Sequence, residues 1–316
     1  MRRPPQGAAL LVAMLVLTLV GTLAAGMIWQ QARAIGVESA ERTRAQAAWI
    51  LTGALDLGRV LLRVDARTPG VDHLNEVWAT RLEEASLSSM LAQDRDNNVE
   101  GAPEAFLSGY IRDAQDRYNL RNLVDAATLK IVPAELEALM RLCEIAAVAP
   151  EAAQTLASGL QAAWQAQKSG DDGDADGAGA VLAPQTVDQL GWLGLDAPSV
   201  ERLRPYVELL PEATPLNINT ASAEVLAGVV PGLDLGSAKR IVNRRPYKAL
   251  QDAAGDIQTV GALDPKRLGV GSSYFLIAGR LRMDGRVLEE RLLVKRDNRQ
   301  VLAQARWRQS LQPGQQ

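Results

Sequence analysis

The sequence contains one cysteine and one histidine in 316 residues. A single cysteine, Cys143, excludes an intramolecular disulfide. Its position in an apolar helical pattern predicts a small buried hydrophobic residue rather than a nucleophile. His73 lies in a polar connection that we expect to be exposed, and no neighbouring motif supports a Ser/His or Cys/His pair around it. We therefore assign no catalytic residue and expect a protein that is not an enzyme.

The net charge is small, and one long segment contains no charged residue. The net charge of −3 and the pI near 5.5 give no reason to expect nucleic acid as the main partner. No charged residue lies between Arg3 and Arg33. Within that segment Ala8–Trp29 is apolar, and a helix of roughly 22 residues spans about 33 Å, enough to cross a hydrocarbon core of ~30 Å. The sequence therefore predicts one membrane-spanning helix near the N-terminus.

The short leader before this helix predicts how the chain is processed. Met1–Gly7 is basic and runs directly into the apolar segment at Ala8. Ordinary secretory signals have an apolar core of about 7–15 residues, with the cleavage site after it. A cut between Gly7 and Ala8 would instead leave a longer apolar helix on the mature protein, which is the signature of a type IV prepilin. The alternative is an uncleaved signal anchor, in which Gly7 merely precedes a helix.

The arginines around the span predict its orientation. Arg2 and Arg3 lie on the short N-terminal side, which places the N-terminus in the cytoplasm. Arginines after the span, beginning with Arg33, oppose this weakly, because a large following domain is translocated largely regardless of its charge. We therefore expect a single pass through the inner membrane, with the bulk of the chain in the periplasm.

The helical pattern continues beyond the membrane segment. Residues 33–65 contain no proline, and apolar residues such as Leu51, Leu55 and Leu62 recur at spacings of three and four. We expect a transmembrane part at 8–32 and a periplasmic part at 33–65 of one long helix. Three glycines in the periplasmic part are interpreted as points of close packing or bending: Gly36, Gly53 and Gly58.

Strand signals bracket a long helical block. Ala105–Asp113 is predicted to be a strand, and residues 116–123 a strand that turns into a helix entry. Near the C-terminus, two apolar runs flank Asp284-Gly285, a strong hairpin signal, and residues 300–307 can add a third strand. The block at 124–268 between these regions is predicted to be helical. This pattern indicates a helical domain inserted into a small α+β domain.

One part of the helical block resembles a helix-hairpin-helix unit. Thr220 can cap a short helix, and Pro231-Gly232 makes a tight hairpin before a second helix. Residues 187–207 look like a weaker copy of the same unit. Such units bind DNA when hairpin amides contact a phosphate, helped by a glycine at the third hairpin position. Aspartates stand at that position here: Asp234 in one unit and Asp196 in the other.

The aspartates make DNA binding the weaker of two interpretations. A carboxylate repels phosphate, although Lys239 and Arg240 could offer a basic face. A structural helix pair that packs on neighbouring helices is favoured, and a membrane-anchored DNA-binding or DNA-uptake protein is the alternative function.

An acidic, glycine-containing run at 170–177 is the candidate metal site. Alternating aspartates can arrange oxygen ligands around Ca²⁺. The run has Leu182 where an EF-hand carries its bidentate glutamate, and a solvated acidic linker is the default interpretation. The candidate ligands for calcium, the one cofactor considered, are Asp171, Asp172, Asp174 and Asp176.

Several of these features together resemble one family. They are the Gly7/Ala8 junction, the long apolar helix, the 113–123 segment with Tyr118-Asn119-Leu120, and Asn217-Ile218-Asn219-Thr220-Ala221. The chain resembles the general secretion pathway protein K family, the minor pseudopilins of type II secretion, from the leader to the terminal hairpin. The Asn-x-Asn-Thr-Ala segment in a helical insert is the most specific of these features.

The residue five positions into the mature chain departs from the general pilin pattern. Major pilins and most pseudopilins carry a glutamate there, whereas this chain has Val12. In the family that glutamate pairs with the free N-terminal amine of an adjoining subunit, which offsets the cost of a carboxylate in lipid. A subunit with valine has nothing to pair with above it, which is tolerable only at the tip of a filament. In a plain anchor, Val12 would simply be another lipid-facing residue.

The resemblance implies a role, partners and a fold. K-type proteins form a complex with the I-type and J-type minor pseudopilins that caps the pseudopilus, built of the major pseudopilin, and starts its assembly. Prepilin peptidase is expected to cut after Gly7, after which Ala8 can be methylated. Family members hold calcium. The implied fold is α+β and pilin-like, with these segments: leader 1–7, long helix 8–65, pilin-like domain 66–123 and 269–308, inserted helical domain 124–268 and flexible tail 309–316.

Overall fold

The structure is a computed structural model that describes residues 6–67, 70–91, 104–169, 182–257, 263–283 and 285–311. It has two compact units, one ending at Gly53 and one beginning at Ala54. The α-helices are α1 (Gln6–Asp65), α2 (Leu87–Leu91), α3 (Pro133–Ile145), α4 (Glu151–Ser169), α5 (Ala197–Leu203), α6 (Ala223–Val229) and α7 (Leu235–Arg244). The strands are β1 (Leu82–Ser86), β2 (Ala105–Asp113), β3 (Tyr118–Asn119), β4 (Val207–Glu208), β5 (Leu216–Asn217), β6 (Leu268–Gly269), β7 (Tyr274–Met283), β8 (Arg286–Asp297) and β9 (Gln300–Leu311).

The first unit consists of the N-terminal part of α1. Its large apolar side chains are all exposed between Leu10 and Trp29, from 50% at Val16 to 76% at Leu17. α1 is the one helix in the described part of the chain that is long and apolar enough to cross a membrane. Because soluble proteins rarely expose so large an apolar surface, this helix suits a lipid environment or neighbouring helices.

The second unit contains a five-stranded sheet in the order β1-β2-β7-β8-β9. Every neighbouring pair is antiparallel, and β7 and β8 form the hairpin predicted around Asp284-Gly285. β2 pairs with β7 along its whole length, although the helical insert separates them in sequence. The α+β fold with a long helix and a small antiparallel sheet is thus confirmed. β9 runs to Leu311, so residues 309–311, predicted as tail, pair with β8 instead.

One face of the sheet packs against the C-terminal part of α1. Leu55 and Leu62 lie in a buried cluster with alternate residues of the strands, because side chains on a strand point to the two faces in turn. A Cβ added at Gly58 would lie 2.6 Å from Cγ2 of Ile277, so glycine permits the close approach of helix and sheet. The predicted close packing is therefore found at Gly58. An added Cβ at Gly36 or Gly53 meets nothing within 4 Å.

The helical insert has a hydrophobic core of its own. Helices α3 to α7 surround Leu139, Leu142, Leu156 and Leu226, all fully buried. Pro133 is at the start of α3, where its missing N–H costs no intrahelical hydrogen bond. Residues before the predicted boundary at 124 also belong to this core, among them Tyr118, Leu120 and Leu123. The insert therefore begins upstream of the predicted boundary, because β3 pairs with β4 inside it.

Candidate functional site

The predicted processing site lies at the start of α1. Gly7 and Ala8 fall in the first turn of the helix, which begins at Gln6. Val12 follows in the next turn with 62% of its surface exposed, as do the apolar residues around it. A carboxylate at that position would therefore be exposed on a long apolar helix, where only a partner from another chain could neutralise it.

A buried carboxylate lies where the sheet meets the helical insert. Asp113 ends β2 and is 1% exposed. Its Oδ2 accepts hydrogen bonds from Asn217 Nδ2 at 2.9 Å, Thr220 Oγ1 at 2.6 Å and Ser272 Oγ at 2.6 Å. Its Oδ1 accepts a bond of 2.7 Å from the Gln115 backbone N–H. The Asp113 side chain thus connects the end of β2 with residues 217–220 and with Ser272, three segments that are distant in sequence.

The two asparagines of the Asn-x-Asn-Thr-Ala segment have different roles. Asn217 faces the sheet, where its two N–H groups share three acceptors: Asp113 Oδ2, Ser272 Oγ at 3.0 Å and the Asp72 carbonyl at 3.2 Å. Asn219 faces the insert, where it exchanges two hydrogen bonds with the backbone of Tyr247, at 2.9 and 3.0 Å. The segment therefore fastens the insert to the sheet on one side and fixes the loop after α7 on the other.

Thr220 does not cap a helix, which corrects the sequence prediction. Its hydroxyl donates to Asp113, and the N-cap of α6 is Ser222, whose Oγ accepts from the Val225 N–H at 3.2 Å. A hydroxyl in this segment can serve either role, and the distant carboxylate of Asp113 decides which.

An arginine continues the same network to the end of α1. Arg296 of β8 donates from Nη1 to Asp65 at 2.8 Å and from Nη2 to Asp72 at 2.6 Å. Asp72 Oδ2 also accepts the Ser272 backbone N–H at 2.7 Å, and Ser272 reaches Asp113 through its hydroxyl. A continuous set of charge-assisted hydrogen bonds therefore connects α1, the sheet and the insert. Such networks are costly to leave partly satisfied, so they define one arrangement of the three parts.

The carboxylates of Asp65, Asp72 and Glu76 approach one another closely enough to be considered as metal ligands. Arg296 already pairs with the first two. Glu76 Oε2 accepts from Trp78 Nε1 at 2.8 Å and from the His73 backbone N–H at 2.9 Å. Groups of the chain itself thus satisfy this cluster, and we interpret it as an ion-pair network. Asp171, Asp172, Asp174 and Asp176 lie outside the described residues, and calcium binding there stays a prediction.

Burial changes the titration of Asp113. Burial away from water, and then the charge of nearby Asp116, raise the pKa of the Asp113 carboxyl to about 6. The hydrogen bonds from Ser272, Thr220 and Gln115 lower this pKa and so oppose the shift. The usual pKa of an aspartate, 3.8, is taken for the unfolded chain. The folded state therefore binds this proton more tightly, and the stability that protonation of this group provides is present below pH 3.8 and lost as pH rises through about 6.

This shift predicts a pH dependence of stability that the Asp113→Asn variant should lose. Between pH 7 and pH 5, wild type should gain about 1 kcal/mol of unfolding free energy relative to the non-titrating variant Asp113→Asn. Urea unfolding of both full-length proteins in detergent at the two pH values measures the difference. An unchanged difference between the two proteins would contradict the raised pKa.

The second motif segment, Tyr118-Asn119-Leu120, organises the insert. Asn119 accepts the backbone N–H of Arg121 at 3.0 Å and of Leu210 at 3.1 Å, and it donates to the Glu212 carbonyl at 2.8 Å. Tyr118 is buried and donates from its hydroxyl to the Glu135 carbonyl at 3.2 Å. Both side chains form hydrogen bonds with backbone groups, so this motif has a structural role in the described part of the chain.

The helix-hairpin-helix units satisfy their own helix ends. Asp234 caps α7 by accepting the Ser237 N–H at 2.9 Å, and Asp196 caps α5 by accepting the Ser199 N–H at 3.1 Å. Each carboxylate therefore accepts a backbone amide at the start of its helix and places a negative charge where a phosphate would have to approach. Lys239 is exposed, and so is Arg240, which donates to Ser237 Oγ at 2.6 Å. The hairpins thus favour the structural interpretation over DNA binding.

Cys143 and His73 behave as structural residues. Cys143 is fully buried, and burial raises the pKa of its thiol to about 11, far from a reactive thiolate. His73 is half-buried rather than exposed as predicted, and its Nδ1 accepts the Asn75 backbone N–H at 3.2 Å. Neither residue forms a pair that resembles a catalytic site.

Comparison with known proteins points to one family. A model of the family described as Type II secretion system (T2SS), protein K matches residues 216–271, which include Asn217, Asn219 and Thr220. A type II secretion system protein K from Pseudomonas aeruginosa is 30% identical, over 90% of this chain and 87% of its own length. A protein of the same name from Pectobacterium carotovorum is 25% identical over 95% of both chains.

A solved structure has a similar fold. The GspK-GspI-GspJ complex of enterotoxigenic Escherichia coli contains a chain that matches with a TM-score of 0.63 and 17% identity. The match covers 87% of this chain and 99% of that chain. At this identity the likeness concerns the fold, and the fold includes the helical insert on a small antiparallel sheet.

Proposed function

The chain belongs to the type II secretion system protein K family and is a minor pseudopilin, and we propose that it caps the tip of the pseudopilus and helps to initiate its assembly. The resemblance found in the sequence is thereby confirmed. The alternative of a DNA-uptake protein is not supported, since the relatives are secretion proteins and an aspartate caps the second helix of each helix-hairpin-helix unit. The family is a structural component of the secretion apparatus, and we propose that this chain performs no catalysis itself.

The large helical insert is the observation that carries this proposal. It lies between the neighbouring strands β2 and β7 and has its own core of helices α3 to α7. The network around Asp113 holds it in one position on the sheet. A rigid domain of this size would obstruct another subunit above it, as a cap must.

Val12 supports the same position in the filament. In a subunit within the filament, an acid at this position would pair with the N-terminal amine of the subunit above. A terminal subunit has no such neighbour, so an apolar side chain is the less costly choice there.

Processing and location follow from the N-terminal segment. Prepilin peptidase cuts between Gly7 and Ala8, which leaves α1 on the mature protein. Before assembly, α1 anchors the chain in the inner membrane, with the N-terminus in the cytoplasm and the bulk in the periplasm. The apolar length of α1 and the basic leader support this arrangement.

The partners we propose are the I-type and J-type minor pseudopilins. The solved relative is a complex of GspK with GspI and GspJ. In this chain the part of α1 that covers the sheet exposes an apolar stripe on its outer side, at the i, i+3, i+4, i+7 spacing of one helix face. Its members are Leu57 (54% exposed), Val60 (44%), Leu61 (38%) and Val64 (53%). A second amphipathic helix would bury this stripe.

The stripe gives a direct test of the partners. Leu57→Asp should place a charge in a helix–helix contact and reduce co-purification of the I-type and J-type proteins by about tenfold or more. The matched control is Leu302→Asp, because Leu302 is 46% exposed and follows Val301, which faces the α1 side of the sheet. Quantitative pull-down of the tagged full-length protein from detergent-solubilised membranes measures both. Equal recovery of partners with the two variants would contradict the proposed interface.

A further inference from the structure

A turn that follows α1 exposes two large apolar side chains. The turn comprises residues 72–79 and ends in a short 3₁₀ helix, Val77–Ala79. Val77 is 77% exposed and Leu74 is 58% exposed. Among the described residues of the second unit, no other large apolar side chain is as exposed as Val77. Single exposed apolar residues are common, so the pair is informative only if it adjoins a larger apolar surface.

Neighbouring side chains fix the conformation of this turn. Asp72 is 4% exposed and Trp78 is 2% exposed. Glu76 accepts a hydrogen bond of 2.8 Å from Nε1 of Trp78. Because these three side chains are held inward, Leu74 and Val77 are presented outward in one arrangement. A partner that covers them therefore loses little binding free energy to ordering of the turn.

The turn borders one side of the apolar stripe on α1. The carboxylates of Asp65, Asp72 and Glu76 lie within 4.8 Å of one another, so the turn lies against the last residues of α1. Asp65 is four residues after Leu61, and residues four apart lie on the same side of a helix. The side of α1 that meets the turn is therefore the side on which Leu61 lies. The exposed apolar pair of the turn thus adjoins the stripe.

The other side of the stripe is basic. Arg63 and Arg67 are exposed, and each is three residues after a member of the stripe. The carboxylates of α1 nearest to them in sequence are already paired, Asp56 with Arg59 and Asp65 with Arg296. Carboxylates on a partner would complement the charge of these two arginines.

We propose that the 72–79 turn and the arginines Arg63 and Arg67 select the partner of the α1 stripe. They form the two edges of one docking surface, and its occupant is the N-terminal helix of a neighbouring minor pseudopilin with acidic residues along one edge of its apolar face. This inference rests on the proposed function, which supplies the partner, and it adds the features by which that partner is recognised.

The shape and the charge of the surface favour this occupant. A stripe at helix spacing packs against the ridges of a second helix. The turn stands beside the stripe, where Leu74 and Val77 meet one edge of that helix, and its acidic edge meets the arginines. A second copy of this chain fits less well, because its own stripe is bordered by the same arginines and by carboxylates that are already paired.

Pull-down from detergent-solubilised membranes tests the turn. The tagged full-length protein is expressed together with the I-type and J-type proteins. Val77→Asp should reduce recovery of the partner by about tenfold or more, the value of one buried valine side chain. Leu302→Asp is the control, because Leu302 is also exposed but lies on the other face of the sheet. Equal recovery with these two variants, at an unchanged urea midpoint of unfolding, would overturn the inference.

A double variant, Arg63→Gln with Arg67→Gln, tests the basic edge. Recovery of the partner at about 0.05 M NaCl should be about two- to tenfold lower than with wild type. Wild-type recovery should fall as NaCl is raised to about 0.5 M, whereas recovery with the double variant should change little. Arg202→Gln, an exposed change on α5, should behave as wild type. The same salt dependence in wild type and the double variant would overturn the acidic edge of the partner.

Leu57→Asp separates a failure of this inference from a failure of the proposed function. Loss of the partner with Leu57→Asp alone, and with neither the turn variant nor the arginine variant, would leave the proposed partners in place and refute their selection by the two edges. Absence of both partners from the wild-type pull-down would refute the proposed partners and the inference together. Recovery of a differently tagged second copy of this chain, lost in Val77→Asp, would assign the surface to self-association instead.

Discussion

Cells that express the Gly7→Asp variant are expected to accumulate the uncleaved precursor and to lose type II secretion. The peptidase must accommodate the residue before the bond it cuts, and glycine presents no side chain there. Aspartate adds both bulk and a charge beside a long apolar helix, where a carboxylate is costly. The retained chain keeps residues 1–7, including two arginines, and these hold the N-terminus on the cytoplasmic side of the membrane.

The effect should be close to complete, because under the proposed function the leader must be removed before every later step of assembly. Electrophoresis and intact mass of the membrane-extracted protein measure maturation, and the activity of an exported enzyme in the medium measures secretion. Gly26→Ala is the matched control: an added Cβ at Gly26 meets nothing within 4 Å, and this variant should mature normally. Normal maturation and secretion with Gly7→Asp would refute the assigned cleavage site.

The second large effect is expected at the junction of sheet and insert. Asp113→Ala should lower the unfolding free energy by about 3–5 kcal/mol, because it removes the acceptor of the buried Thr220 and Ser272 hydroxyls and of the Gln115 N–H, and one of the acceptors of Asn217. Each donor now lies within 2.9 Å of the carboxylate. Such a loss is a large part of the total stability of an ordinary domain, about 5–15 kcal/mol.

Asp234→Ala provides the comparison for this prediction. Asp234 also accepts backbone and side-chain hydrogen bonds, but it lies exposed at the N-cap of α7. Its loss should cost only about 1 kcal/mol, the usual value of an N-cap. Urea unfolding of the full-length proteins in detergent, followed by tryptophan fluorescence, compares the two. Equal destabilisation by both substitutions would contradict the central role of Asp113.

Local patterns in the sequence predict much of the fold. The apolar segment from Ala8, the strand at Ala105–Asp113 and the hairpin around Asp284-Gly285 depend on residues close together in the chain, so periodicity and turn chemistry predict them. The end of α1 at Asp65 also agrees with the predicted segment. The end of β9 was missed, because an edge strand of alternating exposure resembles a polar tail in composition.

The junction could not be predicted from the sequence alone. Asp113 and Asn217 were singled out as motif residues, but they meet across 104 positions, and no local pattern shows such a contact. Arg296 lies 224 positions from Asp72 and has no sequence signal at all. Thr220 looked like a helix cap because its local sequence permits one, and only the tertiary position of Asp113 redirects its hydroxyl.

Intact-protein mass spectrometry of the native chain, extracted from the inner membrane of cells that contain the whole secretion apparatus, tests the account most directly. A mature protein that begins at Ala8, with or without one added methyl group, is the predicted result. A protein that still begins at Met1 and carries the leader arginines would contradict processing, and with it a place for this chain in the pseudopilus.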